Sequence, residues 1–267
     1  PKFNAQNPLP FDLIIVDEAS MIDLRMATQL LAAIDVNARL ILLGDANQLA
    51  AVEAGAVLAE ISKAVSLRQS SVQLTESQRF GEHSGIGKLA SAVCAGDSSQ
   101  TRAVLKAALP DVHYHSLEQP DALAAKLFQG YGALVAALAQ QRPIGEVLKA
   151  FDDYRVLCAV REGAYGVYAL NQRLSLLLQR ALQQEEDPLA LWFHGRPVMV
   201  TQNDYALGVF NGDIGITFEE DDGFYVYFPA RDGEPMRVAA ARLAHSETAL
   251  ALTIHKSQGS EFKTVAV

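Results

Sequence analysis

The chain has 267 residues, half of them hydrophobic, and a formal net charge of −9, so it can bury one large core or two smaller ones but does not coat its surface in nucleic acid by bulk electrostatics. A motor that holds one strand in a local groove stays compatible with that charge. No run of about 18 apolar residues and no signal-peptide pattern occurs, and the two cysteines, Cys94 and Cys158, have neither metal-ligand spacing nor a disulfide framework around them, which together lead us to expect a soluble cytoplasmic protein with reduced, buried thiols.

The first element, Phe11-Asp12-Leu13-Ile14-Ile15-Val16, is an apolar run without alternation, the pattern of a strand buried on both faces. Asp17 and Glu18 follow it, at the carboxyl edge where parallel sheets keep their ligands. An oxygen donor there suits a hard cation such as Mg²⁺, held by Asp17 directly or through water, and leaves Glu18 to polarise an attacking water. The ordinary alternative is a solvated strand end. Asp23 is the expected N-cap of a helix whose Leu24, Ala27, Leu30, Leu31 and Ile34 recur at helical spacing, and Arg39 to Leu43 is a second strand ending in Gly44-Asp45. Strand, helix and strand with short joints make a right-handed βαβ unit, so both strands end at one edge. Asp45, Asn47 and Gln48 are thereby expected beside Asp17 and Glu18.

Val52 to Ile61 is helical by spacing, Ser66 to Ser71 is a polar crossing, and a domain boundary is expected near residue 67. Val72-Gln73-Leu74 is a short expected strand, and Ser84 to Ala95 an amphipathic helix stopped by Gly96-Asp97. Between them Gly81 to Lys88 imitates a phosphate loop, but its spacing departs from G-x-x-x-x-G-K-[ST] and Leu89 stands where a metal-binding hydroxyl is needed. Val112 to His115 is an expected strand with His113 and His115 on one face, an incomplete metal site. Pro120 to Gln140 and Ile144 to Phe151 are helical, Tyr154 to Val160 is a strand, and Val167 to Leu182 is a helix with a stripe at Leu170, Leu174, Leu177 and Leu178. From Trp192 short strands at 197–200, 209–210, 214–218, 224–228 and 236–238 alternate with Asn-Gly and Asp-Gly turns, which predicts a small antiparallel barrel. Its aromatics Phe224, Tyr225, Tyr227 and Phe228 are candidates for base stacking or for the barrel core. Ala249 to Ile254 is a buried strand that runs into His255-Lys256-Ser257-Gln258-Gly259-Ser260-Glu261-Phe262.

Four of these segments together resemble the superfamily 1 DNA helicases. Val16-Asp17-Glu18-Ala19-Ser20 is similar to their Walker-B element, Gly44-Asp45-Ala46-Asn47-Gln48-Leu49 to their third motif, Leu74 to Phe80 to the motif bearing a phosphate-contacting arginine, and Thr253 to Phe262 to the motif joining DNA to nucleotide. Ser77 to Gly81, Gly195 to Met199 and Phe210 to Gly215 narrow the resemblance to the RecD family, the alpha subunits of exodeoxyribonuclease V. The resemblance implies an α/β fold of two RecA-like, P-loop NTPase-type lobes, the first partial, with the small β-barrel inserted in the second. The boundaries are 1–67 for the first lobe, 68–191 for the second, 192–246 for the barrel and 247–267 for the second lobe continued. It implies ATP and Mg²⁺ as cofactors, with Asp17 on the metal, Glu18 on the water, Gln48 sensing the γ-phosphate and Arg79 as arginine finger, a role that suits a permanently charged, two-pronged guanidinium. Gly44, Asp45, Gly259 and Glu261 would lie at the nucleotide, and Thr253, His255, Lys256 and Ser257 on the DNA backbone. The implied partners are single-stranded DNA at a double-strand end and the RecB and RecC subunits, in double-strand break repair and recombination, with 5′-to-3′ movement.

The phosphate loop and the last arginine-bearing motif of that family are not found in the chain. A fragment inactive by itself is therefore expected, since phosphate binding depends on that loop. A stand-alone RecD-like or relaxase-type helicase is the nearest rival, a non-catalytic partner-binding module the next. A nuclease reading of Glu261-Phe262-Lys263 lacks a nearby upstream aspartate.

Overall fold

The computed structural model describes residues 2–48, 57–74, 80, 84–116, 118–229 and 233–267. The chain divides into two compact units, Pro1–Ser116 and Leu117–Val267. That division falls well after residue 67, and it groups the helices between them with the N-terminal strands.

In the first unit, β1 (Leu13–Val16) leads through a 3₁₀ turn, Ala19–Met21, into α1 (Leu24–Ala33), and then β2 (Arg39–Leu42). Asp23 caps α1 as expected, its carboxylate accepting the Met26 N–H at 2.6 Å. The strands are parallel, in register from Leu13 opposite Arg39 to Val16 opposite Leu42. The Leu43 N–H donates to the Val16 carbonyl, and the Ala19 N–H to the Leu43 carbonyl, each at 2.8 Å, so the pairing continues past both strand ends. Side chains alternate across a strand. Val16 and Leu42 therefore pack with Leu30, Val57 and Leu58 around buried Ala19, Ile22 and Ala27, whereas Leu13, Ile15 and Ile41 stand exposed. Burial of β1 on both faces, expected from its unbroken apolar run, is corrected: among the described residues only one face is covered, because the helices of this unit pack on that side.

Then come α2 (Val57–Lys63), a 3₁₀ stretch over Val65–Ser70, α3 (Gly85–Cys94) and α4 (Ser98–Lys106). Ser84 caps α3 and donates its hydroxyl to Asp111 at 2.8 Å, while Asp111 accepts the N–H groups of Gly85 and Ile86. Those bonds, the Ser84 hydroxyl first, hold the Asp111 carboxyl below the usual carboxylate range. Neither Val72–Leu74 nor Val112–His115 forms a strand. Val72 and Leu74 lie almost wholly in solvent and pair with no strand among the described residues, and of the second segment only Val112 is buried.

The second unit opens with α5 (Pro120–Phe128), a 3₁₀ turn at Gln129–Tyr131, α6 (Gly132–Ala139) and α7 (Ile144–Asp152), followed by β3 (Tyr154–Cys158) and α8 (Val167–Ala181). The turn breaks the single helix expected from 120 to 140 and buries Tyr131, whose hydroxyl donates to the Leu250 carbonyl. After β4 (Pro197–Val200), β5 (Ile214–Glu220), β6 (Gly223–Phe228), β7 (Met236–Ala239) and β8 (Ser246–Thr248), the chain returns to β9 (Ala251–Thr253) and ends with β10 (Thr264–Ala266). β10, β3 and β9 form a parallel sheet with β3 central. Its core takes Leu134 and Leu138 from α6, Val147 and Phe151 from α7, and Leu170, Leu174 and Leu178 from α8. Each such fully buried side chain is worth about 1.5–3 kcal/mol. Buried Asn171 of α8 donates to the carbonyls of Thr248 and Ala251, both at 2.9 Å, and accepts the Ala251 N–H at 2.7 Å, which fixes where the chain leaves β8 for β9.

The predicted barrel is corrected. β4 to β8 make a five-stranded antiparallel sheet in the order β7-β6-β5-β4-β8, and among the described residues no ladder joins β7 to β8, so the sheet stays open. The expected strand at 209–210 is a single bridge between Asp204 and Val209, while β8 supplies the fifth strand and straddles the boundary placed at 246.

Candidate functional site: the strand-end acids and the 253–262 segment

In the first unit the βαβ geometry puts the candidate residues on one sheet edge. Asp17 is exposed and Glu18 half-buried. The Asp17 carboxylate accepts the Glu18 N–H at 2.8 Å, and Glu18 itself adopts φ 50°, ψ 39°. A left-handed conformation at a non-glycine residue is uncommon, costs about 1–3 kcal/mol and persists only where its surroundings hold it. Here they do: the Ala19 N–H is bound by the second strand and the Met21 N–H donates to the Glu18 carbonyl at 2.9 Å.

Gly44 leaves β2 against this turn. A Cβ built on it lies 3.1 Å from both the Ala19 and Ser20 backbone nitrogens and 2.8 Å from Leu58 Cδ2, so only glycine lets the two strand ends approach so closely. Asp45 then folds its own loop, its carboxylate accepting the Asn47 N–H at 2.8 Å and its carbonyl the Gln48 N–H at 3.2 Å. That turn aims Gln48 back at the first strand, where its Oε1 accepts the Ser20 hydroxyl at 3.4 Å. Asp17, Glu18, Gly44, Asp45 and Gln48 therefore share one edge. The signal missed from sequence is Ser20, a buried hydroxyl that links the two motifs. Arg79 and the imitation phosphate loop's Gly81, Glu82 and His83 lie outside the described residues, as does Leu49.

Oxygen donors of this kind fit Mg²⁺, which is typically held by one or two carboxylates together with waters and phosphate oxygens. Among the described residues no cluster of three or more His, Cys, Asp or Glu side chains occurs. His113 and His115 are both exposed and have no third ligand there.

In the second unit, Thr253 ends β9 and caps a 3₁₀ turn, Ile254–Ser257, by accepting the Lys256 N–H at 3.2 Å. The Ser257 hydroxyl donates to the Ile254 carbonyl at 2.8 Å. His255 is exposed, and Lys256 donates to the Asn211 side chain at 2.9 Å. Gly259 turns with φ 75°, and Glu261 and Phe262 lead into β10. Phe262 is held by Arg155 of β3, a fully buried guanidinium 4.9 Å from the Phe262 ring centre and 3.7 Å from that of Phe151. Burial lowers the Arg155 pKa from its ordinary value, while Tyr131 and the paired Asp152, at 3.1 Å, oppose the fall. Of the four aromatics of this sheet, Phe228 is buried, Phe224 packs partly buried against the same core, Tyr225 stacks on Arg237 at 3.4 Å, and Tyr227 donates to Glu220 at 2.6 Å.

An AAA-domain family profile matches residues 5–113. The RecD subunit of the RecBCD enzyme from Mycobacterium tuberculosis is 39% identical over 264 residues, and that from Mycolicibacterium smegmatis 42% identical over 272. Each match takes in 98% of this chain and 45% of the relative, so the chain spans a little under half the length of these relatives. Among solved structures, a Pif1 helicase from Bacteroides in complex with ADP-AlF3 and ssDNA superposes with a TM-score of 0.51 at 18% identity, over 98% of this chain and 65% of that one. This likeness shows a shared α/β, helicase-like fold.

Proposed function

Because this chain is homologous to the RecD subunits along nearly its whole length, we propose that it is the motor-bearing part of an ATP-dependent DNA helicase of the exodeoxyribonuclease V alpha-subunit kind. In this reading the two units carry parts of two RecA-like lobes, the nucleotide being hydrolysed with the acids of the first and the strand held by the 253–257 turn of the second. The observation that carries it is the hydrogen bond from Ser20 to Gln48 beneath the Gly44 approach, because it draws an acid pair and a glutamine from separate motifs to one strand edge.

Asp17, exposed at the end of β1, is the residue to hold Mg²⁺, and the metal supplies polarisation of phosphate oxygens when bound with ATP. Glu18, held in its left-handed turn, orients and deprotonates the attacking water. Gln48 rests on Ser20 and so reports on the same edge, and Arg79 completes the charge stabilisation. Gly259 and Glu261 are assigned to nucleotide binding, and Thr253, His255, Lys256 and Ser257 to the strand backbone. The substrate is single-stranded DNA at a double-strand end, the partners are the RecB and RecC subunits, the setting is the repair and recombination machinery of the cytoplasm, and movement is 5′ to 3′.

The test is Glu18→Gln in the full-length protein. Nucleotide affinity is expected to hold while ATP turnover falls about 100-fold or more, the range lost with a general base. Turnover at the unsubstituted rate removes Glu18 from this role.

A further inference from the structure

The 253–257 turn does not stand alone in its unit. Lys256 donates to Asn211, and Asn211 belongs to the loop between β4 and β5. That loop is unusually well tied. Asp204 and Val209 exchange backbone hydrogen bonds of 2.8 and 3.1 Å, closing a tight hairpin over 205–208. The Asp204 carboxylate accepts the N–H groups of Ala206 and Leu207 at 2.9 and 3.0 Å, and the Asn203 side chain accepts the Asn211 N–H at 2.8 Å. Val209 is buried in the core of the five-stranded sheet, with Leu207 packed against it. Gly212, at φ 96°, turns the chain into β5.

On this fixed hairpin Tyr205 is 80% exposed. Its ring meets that of Phe210 edge to face, with centres 5.7 Å apart and planes at 82°. A large ring held mostly in water, braced from behind by a second ring and mounted on a loop with little freedom left, is built to receive a flat apolar surface from solvent. The same loop carries Asn211, whose side chain accepts from Lys256 of the 253–257 turn.

We propose that Tyr205, backed by Phe210, is a base-stacking platform that extends the strand site of Thr253–Ser257 onto the open five-stranded sheet, its ligand an unpaired nucleobase of a single strand. The platform rests on the strand-holding reading of that turn. Lys256 takes the backbone and Tyr205 takes the face of a base, a division that tolerates any sequence because every base has a π-face.

The test is equilibrium binding of the full-length protein to a fluorescein-labelled oligo-dT strand and to an abasic strand of equal length, by anisotropy. The unsubstituted protein is expected to prefer oligo-dT. Tyr205→Ala is expected to weaken oligo-dT binding roughly 5- to 100-fold, the span of base–aromatic stacking, while leaving the abasic strand unaffected, and Tyr205→Phe to restore the preference. Lys256→Ala is expected to weaken both strands alike. A Tyr205→Ala protein with an unchanged preference, or one weakened equally on both strands, overturns the platform but leaves the strand-holding turn intact. Failure of Lys256→Ala to weaken either strand, with Tyr205→Ala still selective, contradicts the turn's role instead. An unsubstituted protein that binds neither strand ends both.

Discussion

Both units end a parallel strand in polar residues, yet among the described residues they invest very different amounts of buried chain in holding that end. In the first, β1 and β2 rest on a core of Ala19, Ile22 and Ala27 with a few half-buried neighbours, and Ile15 on the opposite face is more than half exposed. In the second, β3 lies at the centre of its sheet, with α6 and α8 contributing fully buried leucines, α7 Phe151 and the turn before α6 Tyr131. The difference teaches that precise placement of a polar turn does not require a large core beneath it. In the first unit the placement comes from backbone bonds across the strand ends, a glycine contact and one buried serine. In the second it comes from packing, with buried Asn171 and Arg155 setting the entry and exit of the 249–262 segment.

One buried and one exposed position probe the comparison most strongly. Leu174→Ala, at a site with no exposed surface, is expected to destabilise the second unit by about 2–5 kcal/mol, read from urea unfolding through the fluorescence of Trp192, the chain's one tryptophan. Ile15→Thr in the first unit is expected to change stability by no more than about 0.5 kcal/mol, read by far-UV circular dichroism. Equal losses at the two positions would erase the contrast.

A smaller effect separates the units by pH. His194 precedes β4, and its Nδ1 accepts the Glu219 N–H at 3.3 Å. Burial lowers its pKa from the usual histidine value, partly opposed by Glu219. The folded state thus favours the neutral ring, and below about pH 6.5 the unfolded chain binds more protons. The contribution of His194 is therefore complete above that value and lost as the pH falls through the folded-state pKa. The midpoint for the second unit is expected to drop between pH 7 and 5, and His194→Gln to flatten the drop. An unchanged slope in that variant would assign the acid sensitivity elsewhere.

The sequence made one part of this legible because two periodicities and a cap coincide. Alternating strand and helix spacing from Leu13 to Leu43, with Asp23 at the helix start, is enough to put Asp17, Glu18 and Gln48 on one edge, and the hydrogen bond between Ser20 and Gln48 agrees. Other features depend on contacts distant in sequence. Exposure of Ile15 reflects what covers the far face of β1, which an apolar run does not record. The break at Gln129–Tyr131 follows from burying Tyr131 against Leu250, more than a hundred residues away. The open sheet likewise turns on β8 pairing with β4 rather than β7. Tyr205 is not legible in the sequence, because a lone tyrosine between turn residues carries no periodic signal.

In the proposed function, Gln48 and the strand-end acids work as one nucleotide site that answers to DNA. Its most direct measurement is ATP turnover of the full-length protein with and without single-stranded DNA, comparing Gln48→Ala with the unsubstituted protein. The prediction is an unchanged nucleotide affinity with stimulation by DNA reduced about tenfold, the equivalent of one 1.4 kcal/mol coupling. Stimulation of the Gln48→Ala protein as strong as that of the unsubstituted protein would contradict it.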